Sequence, residues 1–362
     1  MPKIAIIGAG NVGGQIAAFL IHSAALKPRP LGRGKKAPLS VSILSKPRAL
    51  ARGVEGLIKE GPVDPGSPKD GEPVEPRSRT IDLLLLDVVK GLAKGKALDL
   101  EDCASVLRQD CVIKGSEDFS LLRDRDIIVI TAGLARKPGM SRDDLLKKNS
   151  GIIKGISLKI KEYAPGKIVL VITNPVDLMT YLTARITGFP KNRVFGMGVS
   201  LDSARFANLI REELKVPVTN IEAMVIGSHG QTMVPAHSQT QVSGVRIERL
   251  VGEGIITKLT RETVERGASI VAHLGSGSAY YGPAAAACDI IKAIVRDEKR
   301  VLGVCAYLDG QYNIKDLYLG VPARIGRQGL EEIIEIELSE QEKKQLLNSA
   351  ESIRKQLANL NV

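Results

Sequence analysis

No apolar run in this chain is long enough to cross a bilayer: runs such as residues 127–130 and 168–172 fall far short of the roughly 20 residues a membrane helix needs. The N-terminus enters a strand pattern at once, without a basic leader or cleavage site, which reads as a cytoplasmic protein with no membrane partner. Cysteine is scarce. Cys103, Cys111, Cys288 and Cys305 show neither C-x-x-C nor Cys/His ligand spacing, so the reading is of reduced, packed thiols with no disulfide framework and no metal site. Tryptophan is missing and aromatics are 3% of the chain, and residues 23–80 contain no Phe, Tyr or Trp. That stretch is the most basic part of the sequence, yet it offers nothing on which bases could stack, which argues against nucleic acid as a partner.

What remains suits a large α/β protein. A chain of 362 residues with 44% hydrophobic content can bury a substantial core and is expected to form two domains. Its net charge of +11 is unevenly spread: residues 23–80 carry twelve Lys and Arg against six Asp and Glu, together with nine of the eighteen prolines. Such a composition is read as a solvated insertion, with a basic contact surface or an oligomer contact as the functional alternatives.

The sequence "KIAIIGAGNVGG" places Gly8, Gly10 and Gly13 directly after a buried-strand pattern at residues 4–7. Gly8 suits a tight strand-to-helix turn, Gly10 a close approach of backbone to a pyrophosphate, and Gly13 tight packing of helix on strand. The following helix shows Val12, Ile16, Phe19 and Leu20 on one face. An acidic partner for the ribose is expected roughly 20 residues past the glycines. Residues 27–36, "KPRPLGRGKK", contain none. If residues 23–80 are an insertion, the next buried strand, "IDLLLLD", ends in Asp87 and supplies the missing carboxylate, because lengthening a surface loop adds closure entropy only logarithmically. The competing reading makes Ile43 and Leu44 the second strand, with residues 45–48 facing the ribose and favouring a 2′-phosphate. Further parallel strands are expected at 126–131 and 167–174. Between them, Leu145, Asn149, Ile152, Ile156 and Ile160 follow a helical period. The fold class is therefore a Rossmann-type doubly wound parallel sheet, followed by a mixed α/β substrate domain.

The second half carries candidate chemistry. "VIGSHGQTMVP" sets His229 among small residues after an apolar run, and "GVSLDSARF" places Asp202 and Arg205 on one face of a helix. "TAGLARKPGMSRDD" puts Arg136 and Arg142 in a Gly/Pro loop after a strand. A carboxylate can orient an imidazole and stabilise its cation, and arginines recognise carboxylates with two parallel hydrogen bonds. Beside a nucleotide turn, this set suggests hydride transfer on an anionic hydroxy acid.

In order along the chain, "GAGNVGG", "LDVVKGLAKGKALDLEDCASV", "ITAGLARKPGMSRDDLLKKN", "VITNPVDLMTYL", "MGVSLDSARF", "GSHGQTMVP" and "SGSAYYGPAAA" resemble the motifs of the lactate/malate dehydrogenase family, on the side of its bacterial lactate-dehydrogenase-like malate dehydrogenases. The resemblance implies an NAD-binding domain over 1–174, interrupted by the 23–80 insertion, and a catalytic domain over 175–362. It further implies a dicarboxylate substrate and assembly into a homo-oligomer, dimer or tetramer. On it, His229 exchanges a proton with the substrate and Asp202 is its partner. Arg205 holds the carboxylate beside the reacting carbon, Arg142 polarises the carbonyl, and Arg136 meets the second carboxylate where lactate dehydrogenases usually carry Gln. Asn174 contacts substrate and nicotinamide. The cofactor side is expected from Gly8, Gly10, Asn11, Val12, Gly13 and Asp87, with Asn149, Ile172 and Asn174 from later in the domain. Ser278 is a weaker pocket candidate. Two departures stand out: Gln231 where an Asp is usual after "HG", expected to lower the basicity of His229, and Gly275 where a Lys is more usual. A lactate dehydrogenase and a non-catalytic dinucleotide sensor are the alternative readings; the intact His229, Asp202, Arg205 and Arg142 weigh against the sensor. The C-terminal segment shows an S-x-x-E capping box at Ser339 and Glu342 ahead of an amphipathic helix, read as packing without chemistry.

Overall fold

The computed structural model describes residues 1–25, 81–134, 142–275, 277–358 and 360. The alternative strand at 43–44 and the expected substrate contact Arg136 lie outside them, as do the side chains of 142–144, including Arg142.

The glycine-turn unit forms as expected from its pattern. Strand β1 (Lys3–Ile7) leads into helix α1 (Asn11–Ala25), whose Ile16, Ala17, Leu20 and Ile21 are buried. Strand β2 (Ile81–Leu86) is buried at every position and pairs parallel with β1, setting Ile4 opposite Leu83 and Ile7 opposite Leu86. The other edge of β1 is taken by β4 (Ile127–Ile130), also parallel. Both edges of β1 are thus taken by described strands, β2 and β4.

Helix α2 (Leu92–Val106) and strand β3 (Cys111–Ser116) follow β2, and β3 pairs outside it. Helix α3 (Arg142–Tyr163) leads to β5 (Ile168–Val171), α4 (Val176–Thr187) and the short β6 (Val194–Gly196). The parallel order is β3-β2-β1-β4-β5-β6, the doubly wound arrangement, with the reversal of winding between β1 and β4. The strand expected over 167–174 ends at Val171. Beyond it the chain leaves the ladder: the Thr173 hydroxyl donates to the Ala132 carbonyl at 2.8 Å, and Pro175, joined to Asn174 by a cis peptide, has no N–H to donate.

The remainder continues the same sheet in antiparallel fashion. After α5 (Val199–Leu214) come β7 (Ile221–Glu222), β8 (Val225–Gly227) and β9 (Met233–Pro235), then β10 (Gln241–Val242) and β11 (Val245–Arg246), which form a small sheet with β7. Helices α6 (Glu253–Leu274) and α7 (Tyr281–Val295) precede the long hairpin of β12 (Arg300–Asp309) and β13 (Lys315–Gly326), with β14 (Gly329–Ile333) on its edge. Strand β12 meets β6 where Cys305 faces Gly196, and β13 meets β8 where Gly320 faces Gly227. A side chain at Gly320 would stand 2.4 Å from the Gly227 carbonyl, so this crossing needs glycine. The join ties the segment carrying His229 to the same sheet whose other end carries the glycine turn.

Helix α8 (Glu340–Ala358) closes the chain. Its capping box forms: Ser339 N donates to Glu342 Oε2 at 2.9 Å, and Glu342 N donates to Ser339 Oγ at 3.3 Å. Among the described residues no helix is long and apolar enough to cross a membrane.

Candidate active site

The carboxyl ends of β1, β2, β4 and β5 point to one edge of the sheet, the edge at which α/β proteins of this winding bind ligands. At the first of them, Gly8 has a φ of 107°, a left-handed conformation that glycine adopts without strain. A Cβ on Gly13 would lie 2.0 Å from the Gly8 carbonyl, so helix α1 can approach its own turn only with glycine there. Gly10 has open space in place of a side chain, with nothing within 4 Å of a built Cβ. The turn is therefore a cradle whose floor is main chain and whose mouth is clear, with the first N–H groups of α1 beyond it, beginning at Asn11 and Val12. This fits a dinucleotide diphosphate.

Asp87 stands at the end of β2 beside this turn. Its Oδ2 accepts the Ala9 N–H at 2.8 Å and its Oδ1 accepts the Val89 N–H at 3.0 Å. These bonds fix the carboxylate next to the glycine turn although 78 residues separate Ala9 from it in sequence.

Asn149 and Ile172 sit one step back. Asn149 is 1% exposed, and its amide is fully engaged: Oδ1 accepts the Leu134 N–H at 2.8 Å, while Nδ2 donates to the Asn174 carbonyl at 2.8 Å and to the Leu134 carbonyl at 3.3 Å. It ties together the loops that carry Leu134 and Asn174. Ile172, the other residue expected on the cofactor side, is buried in the main core cluster just after β5.

The proton-transfer cluster is assembled from distant segments. Asp202, wholly buried in the first turn of α5, accepts from Arg205 NH1 at 3.2 Å through Oδ1 and lies 2.6 Å from His229 Nδ1 through Oδ2. An ionised Asp202 beside a guanidinium can only accept, so Nδ1 carries the hydrogen and Nε2 is left as the working nitrogen. Burial disfavours the charged imidazole, but the charge and hydrogen bond of Asp202, with a further contribution from Asp177, outweigh it and hold the His229 pKa above the ordinary histidine value. Gln231, where an Asp is usual, is exposed, and the carboxylates behind the ring raise the pKa with a neutral amide at that position. Arg205 lies against α6, with NH1 3.5 Å from the Cβ position of Gly267.

A cleft of about 370 Å³ opens beside His229, lined by Asn174, Asp177, Gln231 and Thr232, with Leu145 and Leu146 of α3 on one side. Helix α8 supplies its remaining wall through Ser352, Ile353 and Gln356, so the terminal helix does more than pack. Asp177 was not singled out by the sequence pattern. The signal available was an acidic residue in the first turn of a helix directly after "NP", which any helix start can explain. Ser278 lies exposed between α6 and α7.

Residues 75–196 match the sequence profile of the lactate/malate dehydrogenase NAD binding domain, and residues 199–361 that of the lactate/malate dehydrogenase alpha/beta C-terminal domain. A malate dehydrogenase of Methanosarcina mazei is 44% identical over 281 residues, covering 78% of this chain and 92% of the relative. The crystal structure of a Cryptosporidium parvum malate dehydrogenase is similar over 99% of both chains, with a TM-score of 0.81 and 32% identity. A Cryptosporidium parvum lactate dehydrogenase, complexed with lactic acid and β-nicotinamide adenine dinucleotide, gives a TM-score of 0.80 at 29% identity over 99% of this chain and 98% of its own.

Proposed function

Since this chain belongs to the lactate/malate dehydrogenase family, we infer that it is an enzyme interconverting malate and oxaloacetate with NAD. The observation that carries the reading is the buried Asp202 joined at once to His229 and Arg205. NAD, when bound, supplies the hydride acceptor or donor for the carbon that bears the substrate oxygen. The residues assigned to hold it are Gly8, Gly10, Asn11, Val12 and Gly13 at the diphosphate, Asp87 at the adenosine ribose, and Asn174 toward the nicotinamide.

His229 Nε2 takes the proton of the malate hydroxyl, or returns it to the oxaloacetate carbonyl oxygen, while Asp202 keeps Nδ1 protonated and balances the imidazolium. Arg205 retains N–H groups for the carboxylate beside the reacting carbon. Arg142 polarises the carbonyl and Arg136 pairs with the second carboxylate; both are assigned from the motif, and exclusion of water from the site would strengthen each charge interaction. Reduction needs the protonated ring and oxidation the neutral one. With its pKa raised, His229 sustains oxaloacetate reduction to more alkaline pH than an unassisted histidine would.

The division of labour goes with this reading: cofactor binding in the segment to 174 and the catalytic set in 175–362. The parallel strand at Val194–Gly196 supports a seam somewhat later in the chain. The enzyme is assigned to the cytoplasm, in keeping with the thiols of the buried Cys288 and Cys305. It is placed in a homodimer or tetramer, in keeping with exposed Leu98 and Val106 on α2 and Val271 and Leu274 on α6.

Substrate choice rests on Arg136. A second carboxylate entering a closing site without a partner would cost several kcal/mol, which a guanidinium largely offsets, whereas pyruvate leaves that guanidinium unpaired. Assays with oxaloacetate and pyruvate, each with NADH and NADPH, are expected to show a strong preference for oxaloacetate and NADH. Arg136→Gln lowers kcat/KM for oxaloacetate about a hundredfold and raises it for pyruvate. Equal use of the two acids by the unaltered protein, or an unchanged ratio in the variant, sinks the malate assignment and leaves the hydride chemistry standing.

A further inference from the structure

Of the described side chains lining the cleft beside His229, only His229 itself and Asp177 are ionisable. Asp177 is 3% exposed. Its Oδ2 accepts the His229 backbone N–H at 2.9 Å, and among the described residues its buried Oδ1 has no nitrogen or oxygen partner, leaving the carboxylate only the weakly donating Cys305 thiol besides that N–H. A carboxylate so thinly satisfied is an expensive way to cap one N–H, since an amide side chain could do the same without a charge. The charge has a use when the neighbours are counted. From α5, Asp202 and Arg205 face His229 as one anion and one cation, and their charges offset each other. From β12, Cys305 lies against Asp177 as a buried thiol whose pKa burial pushes well up, so it stays neutral. Among the described residues, the cleft walls of α3, α8 and the 228–232 segment present only uncharged groups here, Gln231 among them. Counted over these described groups, a proton taken up by His229 leaves one buried positive charge in excess. Asp177 is the described residue placed to offset it.

We propose that Asp177 is a positioning residue for His229: its carboxylate anchors the main chain that carries the imidazole and supplies the second negative charge against which the imidazolium forms. The ring is then fixed at two points, by Asp202 at Nδ1 and by Asp177 at the backbone, and its charge is shared between two buried carboxylates. The direction of the His229 pKa, raised in part by Asp177, agrees with this. Burial also raises the Asp177 pKa, against which the His229 N–H and the imidazolium charge act.

The proposal rests on His229 being the proton carrier, and the test separates the two. Profiles of kcat/KM against pH are recorded for oxaloacetate reduction with the unaltered enzyme, Asp177→Asn, Asp177→Ser and Asp177→Glu, with Tm and NADH binding to verify folding. Asn retains an acceptor for the His229 N–H and loses the charge, so its reduction profile is expected to shift to lower pH and its activity at alkaline pH to fall by up to about tenfold, more than at acid pH. Asp177→Ser, also uncharged, shows the same shift, and Asp177→Glu restores the original profile even where kcat is reduced. Superimposable profiles for all folded variants, or lowered Tm with no displacement of any profile, overturn the proposal, because a structural role alone predicts that result. Wild-type turnover in a parallel His229→Asn variant would instead overturn the reading of His229 on which it rests.

Discussion

At the glycine turn the working groups are main-chain atoms of neighbouring residues, whereas at His229 they are side chains drawn from segments 27 and 52 residues away. The first arrangement needs the absence of side chains, and its geometry follows from a strand, a turn and a helix start that are consecutive in sequence. The second needs particular side chains, and its geometry exists only once β8, α4 and α5 have come together through the sheet. Substitutions at the two places should therefore fail differently: at the turn through binding and packing, at His229 through the chemical step.

The largest effect is expected at His229. His229→Asn removes the group that moves the proton while leaving the cofactor turn untouched, so NADH binding persists and turnover falls by about 10²–10⁴ or more. Stopped-flow rates together with NADH fluorescence titration check both halves of this statement. Tight NADH binding with near-normal turnover would mean that the proton travels elsewhere and that the contrast between the two regions has been drawn wrongly.

Within the turn itself, two glycines separate packing from binding. A methyl at position 13 would collide with the Gly8 carbonyl, so Gly13→Ala displaces α1 from its strand, with an overpacking cost of about 1–3 kcal/mol and a lower Tm. A methyl at position 10 meets no protein atom within 4 Å, so Gly10→Ala folds normally. It loses affinity for NADH by roughly tenfold, because the space it fills is reserved for the diphosphate. Thermal melts and NADH titrations of both variants sharpen the comparison. Similar Tm losses in the two would show that the mouth of the turn is not the open space the backbone suggests.

The same contrast explains what was legible in the sequence. Gly8, Gly10 and Gly13 after an apolar run, and the buried run ending in Asp87, could be read because a strand and its turn are local patterns, whatever length of chain joins α1 to β2. Asp202 and Arg205 could be placed on one helix face from their spacing, yet nothing local joined that face to His229, and only the ordered resemblance to a family did so. Asp177 escaped notice because the N–H it holds belongs to a residue on another element, and a first-turn acid needs no special explanation. Ser352 and Gln356 escaped because an amphipathic pattern reports which face of α8 is buried, not which cavity its rim overlooks. Asn149 and Ile172 show the converse: their place in the motifs was clear, while their burial, at 1% and 6% exposure, was not.

The smallest expected effect lies at Asp87, where the two modes of construction meet. Its carboxylate is a side chain, but both of its oxygens are held by main-chain N–H groups, those of Ala9 and Val89, which aim it along the edge where the ribose of NAD is assigned. A charged acceptor so fixed favours a ribose with free hydroxyls and repels a 2′-phosphate, and a charge-assisted hydrogen bond is worth about 1.5–3 kcal/mol. Asp87→Ser removes the repulsion and keeps one acceptor for the turn, so Tm changes little. The ratio of kcat/KM for NADH over NADPH is expected to fall by about tenfold or somewhat more, through weaker use of NADH and better use of NADPH together. Because His229 and its partners are untouched, kcat at saturating NADH should hold. A variant that lost kcat instead, with its cofactor preference intact, would place Asp87 among the supports of the turn and leave the ribose to another acceptor.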